Sequence, residues 1–78
     1  MLKNSILDQF QINVGTKVLL RYRDNRILVS EEVATITSIS PCNKDLYNVT
    51  FDGKKKIYAL SIDELIRLKK AYQYQDTL

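Results

Sequence analysis

The chain has 78 residues, of which 45% are hydrophobic and 27% charged, with a formal net charge of +3. This mixture describes one globular domain and excludes disorder of the whole chain. The single cysteine, Cys42, excludes an intrachain disulfide, and the lack of histidine excludes imidazole metal sites and histidine-based nucleophilic catalysis.

A secreted domain this small ordinarily carries several disulfides, so an intracellular protein is expected. No apolar run approaches the roughly 18–20 residues of a membrane span. The first residues lack the long apolar core of a signal peptide.

Leu2, Ile6, Leu7 and Phe10 fall near helical spacing. They predict a short helix capped by Asn4 or Ser5, or else an ordered arm. Either must pack on the body, because so short a helix does not stand alone. Val14, Gly15 and Thr16 make a turn into a strand over residues 17–23. There Val18, Leu20 and Tyr22 share one face, and Lys17, Leu19, Arg21 and Arg23 the other. Asp24, Asn25 and Arg26 are turn residues. Ile27, Leu28 and Val29 form a short apolar run, followed by polar residues 30–32.

A second long strand is expected over residues 33–40, rich in β-branched side chains, with Ala34 and Ile36 inward. Ile39 breaks the alternation, which predicts a bulge or bend near Ser38. Residues 41–45 are expected as a loop, since Pro41 has no N–H for a central strand.

Residues 46–60 hold two strand-like runs around Asp52 and Gly53, a strong hairpin signal. A two-residue loop would mix apolar and charged residues on both faces. A three-residue loop sets Val49 opposite Ile57 and Tyr47 opposite Ala59, with Asn48, Thr50, Lys56 and Tyr58 outside. Burial of one face favours the second register. Ser61 and Glu64 then have the spacing of a capping box. Residues 62–73 fit a helix, or a helical turn at 62–64 with a strand at 65–68. The polar tail from Ala71 to Leu78 is expected to fray.

Basic residues cluster. Arg21, Arg23 and Arg26 lie on the first strand and its turn, and Lys54, Lys55 and Lys56 at the hairpin tip. This suits an anionic partner, with Tyr58 able to stack on a base or sugar. The plain alternative is a solvated surface with lysines guarding strand edges. Asp63 and Glu64 are adjacent and diverge on a helical turn, so they serve its N-terminus and not acid–base catalysis. Cys42 reads as an inert loop residue. With only Gly15 and Gly53 there is no glycine-rich phosphate loop. A non-enzymatic protein without cofactors is expected.

Taken in order, residues 14–22, 32–39, 46–53 and 60–66 resemble a Tudor domain, one of the SH3-like barrels of chromatin proteins. The segment Tyr47, Val49, Phe51, Asp52, Gly53 is the most specific part. The resemblance implies a mainly β fold, a five-stranded barrel over residues 14–68 with a helical turn at 61–64 and a last strand at 65–68. Residues 1–13 are then an arm or short helix and 69–78 a tail. It also implies a nuclear location and a methyl-lysine peptide, such as a histone tail, held in an aromatic cage by cation–π attraction. Tyr22, Phe51 and Asp52 match the cage positions. Ile27, Leu28, Val29, Lys54 and Lys55 stand where further aromatics are usual. A third reading is a protein–protein interaction module that uses Leu2, Ile6, Leu7 and Phe10. The expected nucleic-acid contacts are Arg21, Arg23, Arg26, Lys54, Lys55, Lys56 and Tyr58, made chiefly to phosphates.

Overall fold

The computed structural model describes residues 5–75. Leu2, Asn4 and the end of the tail lie outside the described residues. The elements are α1 (Ser5–Gln9), β1 (Lys17–Asp24), β2 (Ile27–Asn43), β3 (Leu46–Phe51), β4 (Tyr58–Ser61) and α2 (Ile62–Tyr74). The four strands form one antiparallel sheet in the order β1-β2-β3-β4, curled into half a barrel. No described helix is long and apolar enough to cross a membrane.

The N-terminal helix is present and ends in a specific stop motif. Ile12 N–H donates to Leu7 O at 2.9 Å and Gln11 N–H to Asp8 O at 3.0 Å, with Gln11 at φ 57°. This is a Schellman stop, and its apolar pair, Leu7 and Ile12, is buried in the core. From α2, Lys69 Nζ donates to Phe10 O at 2.6 Å and Gln11 O at 3.1 Å, so one ammonium binds the carbonyls that the short helix leaves free.

Strand β1 buries Val18 and Leu20 on the face the alternation predicts, but Leu19, expected on the opposite face with the charged residues, is buried as well, beside Ala71 and Tyr74 of α2. Asn25 and Arg26 then take φ 54° and 70°, a two-residue type I′ turn that sets Asp24 opposite Ile27. The apolar run 27–29 is therefore the start of β2, not a separate piece. Strand β2 is shared: residues 27–35 pair with β1 and residues 36–43 with β3. The expected bulge lies between Ile36 and Ser38 and turns the strand from one pairing to the other. The expected loop at 41–45 is shorter, because β2 runs to Asn43 with Pro41 opposite Tyr47. Among the described residues this half of β2 has β3 on one side only, an edge position of the kind that tolerates proline.

The β3–β4 register differs from the expected one by a single residue. Val49 faces Tyr58, Asn48 faces Ala59 and Tyr47 faces Leu60. A slip of one residue exchanges the faces. Ile57, expected inside, is 63% exposed, Ala59 is also exposed, and Tyr58, expected outside, packs on the core. The physical reason is the loop. A turn closed by Lys54 N–H to Phe51 O at 3.1 Å, with Gly53 at φ 83°, is followed by residues 55–57 outside any strand.

A second correction concerns residues 65–68, which form no strand. Ser61 caps a 13-residue helix. Its hydroxyl accepts from Glu64 N–H at 3.2 Å, and Glu64 Oε1 accepts from Ser61 N–H at 3.0 Å. The helical alternative read from the capping box and the spacing of Ile62, Leu65 and Ile66 is the one adopted. Helix α2 runs through residues 69–74 and packs on β1 and β4. Leu65 is fully buried against Val18, Ile36, Val49 and Phe51 in the core. No fifth strand is present among the described residues.

Candidate functional site

Two basic segments meet at the open side of the half-barrel, the β1–β2 hairpin and the loop 52–57. Lys54 joins them. Its Nζ lies 2.8 Å from Glu32 Oε2 on β2 and 5.6 Å from the centre of the Tyr22 ring on β1. Glu32 above all, and then the Tyr22 hydroxyl, hold the Lys54 ammonium above its usual pKa. Glu31 pairs with Arg21 across the ladder at 3.0 Å. Glu31 and Glu32 are thus brought onto two of the six basic residues.

The remaining four are disposed differently. Arg23 and Arg26 are exposed on the hairpin, and Lys55 and Lys56 on the loop. None of the four has an ion pair with a described residue. Lys56 Nζ stands 4.8 Å from the Tyr58 ring centre, a cation–π contact that orients it without cancelling its charge.

The aromatic residues form a row that runs from core to surface. Phe51 is 2% exposed and meets Tyr58 edge-on, with ring centres 5.2 Å apart and planes at 73°. Tyr58 and Tyr22 are half-buried. Burial, and then the Tyr22 hydroxyl, push the Tyr58 phenol above its usual pKa. Asp52 is exposed in the turn, and its N–H donates to Thr35 O at 2.9 Å. Tyr22 therefore presents its ring to Lys54 and Tyr58 presents its ring to Lys56, while Phe51 belongs to the core.

Between β1 and β4 lies a groove of about 230 Å³. Leu20, Tyr22, Tyr58, Leu60 and Leu68 line it, with Arg21, Glu64 and Arg67 at its edge. Sequence reasoning missed Glu32 as a partner of Lys54; it counted Arg67 among the basic residues but did not place it beside this groove. The capping box and the helical spacing of Ile62, Leu65 and Ile66 pointed toward that placement, by implying the helix that carries Arg67. Among the described residues no three ligand-type side chains gather closely enough to hold a metal ion.

No family model, curated protein or solved structure matches the chain. Its class is therefore defined by its own geometry, a small curled antiparallel sheet closed on one side by a C-terminal helix.

Proposed function

We propose that this protein is a non-enzymatic module that contacts the phosphate backbone of nucleic acid through the loop 52–57 and the β1–β2 hairpin. The observation that carries this reading is the distribution of ion pairs. Arg23, Arg26, Lys55 and Lys56 keep their charge exposed and without a described acidic partner. Arg21 and Lys54 have a scaffolding part, since their charge is matched by Glu31 and Glu32. Tyr58 supports Lys56 instead of stacking freely. The strand order supports a variant of the SH3-like barrel in which α2 stands at the position of a fifth strand. The likeness to Tudor domains supports a chromatin setting in the nucleus.

The test is a fluorescence-anisotropy titration of single- and double-stranded DNA and RNA across a range of salt. Four neutralised phosphates predict a slope of log K against log salt of about −3.6 on duplex DNA. Lys55→Gln with Lys56→Gln should remove about two units of that slope. The charge-neutral pair Arg21→Gln with Glu31→Gln should leave it unchanged. No binding at low salt, or a slope indifferent to Lys55 and Lys56, refutes the reading.

The methyl-lysine alternative through Tyr22, Phe51 and Asp52 has less support. Phe51 has almost no exposed surface, and the chain's own Lys54 and Lys56 lie over the two tyrosine rings. A peptide array with methyl-dependent hits would restore it. An interaction module using the N-terminal helix draws support from Ile6 and Phe10, 48% and 44% exposed, whereas Leu7 is spent in the core.

A further inference from the structure

The hairpin tip carries a feature that phosphate contact leaves unused. Ile27, Leu28 and Val29 are 68%, 43% and 64% exposed. A run of consecutive exposed aliphatics is a fault in a surface unless something uses it. These three follow directly on Arg26, and the ladder slips between Tyr22 and Arg23 so that Arg23 faces Leu28 and Val29 is the extra residue. Such a bulge re-aims side chains and breaks the regular edge that a pairing strand would need. Lys54 braces the hairpin at Tyr22 and Glu32, and residues 23–31 continue past that brace. The molecule is elongated, 41 Å by 27 Å by 22 Å.

The tip thus combines two cations, Arg23 and Arg26, and the exposed carboxylate of Asp24, a net positive charge, with three aliphatic side chains on a tight two-residue turn. A purely apolar protein groove would leave the arginines unmatched, and a purely ionic contact would leave the aliphatics in water. Duplex DNA satisfies both. Its phosphates and narrow minor groove attract arginine, and its base steps admit aliphatic wedges that part the stack and bend the helix. We infer that the β1–β2 tip is a wedge that enters the minor groove of duplex DNA, with Arg23 and Arg26 against the backbone and Ile27 and Val29, its two most exposed aliphatics, against a parted base step. This rests on the nucleic-acid reading above and narrows it to a bent duplex.

The test uses the full chain and a DNA duplex of about two helical turns with a donor and an acceptor dye on its ends. Anisotropy reports binding, and energy transfer reports bending. Wild type should raise the transfer on binding. The variant Ile27→Ser, Leu28→Ser, Val29→Ser should bind about tenfold more weakly, the order of effect of one specific groove contact, and should leave the duplex straight with the salt slope unchanged. Arg26→Gln should lower the salt slope by about one unit. Circular dichroism checks that the triple-serine variant keeps its fold; a single Val29→Ser change at the most solvent-facing part of the bulge gives the same readout in milder form. Binding without any rise in transfer, or equal bending by the serine variants, overturns the wedge and leaves phosphate binding standing. So does binding to single strands alone. Failure to bind any nucleic acid overturns both. Capture by anionic phospholipid vesicles but not by DNA would assign the same tip to a membrane surface and overturn the wedge.

Discussion

Replacing Ile57 by alanine should cost about 0.5 kcal/mol or less, and replacing Leu60 by alanine about 1.5–2 kcal/mol. Ile57 is 63% exposed, so only roughly a third of its surface leaves water on folding. Leu60 is partly buried against the core cluster and faces Tyr47 across the ladder. It also lines the groove, which lets neighbours relax, so its loss falls below the roughly 2.7–5 kcal/mol of fully enclosed leucines. Urea unfolding followed by far-ultraviolet circular dichroism suits a chain without tryptophan. With m of about 1 kcal/mol per molar, Leu60→Ala should lower the midpoint by about 1.5–2 M and Ile57→Ala by at most about 0.5 M, m itself being unchanged. The opposite order would mean that β4 pairs one residue earlier, with Ile57 opposite Val49, and would refute the register.

Ser61→Ala should cost about 1 kcal/mol by removing the hydroxyl that accepts from Glu64 N–H, read as a lower urea midpoint with less helix signal before the transition. Arg26→Gly should raise stability by about 0.5–1 kcal/mol in thermal or urea unfolding, because glycine accepts φ near 70° at no steric cost, while DNA binding weakens. Lys54 and Tyr58 both have folded-state pKa values raised above 10.5 and 10.0. A raised value favours the protonated form in the fold, so this contribution is complete below about pH 10 and is lost as pH rises through the folded values. Urea midpoints should therefore hold up to about pH 10 and fall above it, and fall less for Glu32→Gln, which lacks the carboxylate that holds Lys54; an equal fall in both would refute the part assigned to Glu32.

The first strand, the bulge near Ser38 and the capping box were legible because each is a local pattern with one dominant physical cause. Val18 and Leu20 alternate, Ile39 breaks a period of two, and Ser61 and Glu64 satisfy each other's backbone. The β4 register was not legible. It depends on how many residues the loop after Gly53 spends before pairing resumes, and the three lysines there are tolerated at several positions. The helix at 65–68 was legible from the capping box and the spacing together, and the family resemblance drew the reading away from it. Arg21 and Lys54 could be placed on the basic surface from sequence. Their acidic partners could not, because Glu31 and Glu32 reach them only through the hairpin and the loop that folds across it.

The bond from Lys69 to the carbonyls of Phe10 and Gln11 has a consequence for the order of folding. It joins residues 58 and 59 positions apart, so it should form after the sheet and α2 have brought Lys69 to the turn that follows α1. The N-terminal turn should accordingly dock late. Its interactions would be absent from the transition state, so weakening them would speed unfolding and leave the folding rate unchanged. One ammonium therefore acts as the last latch to close and, during unfolding, the first to open.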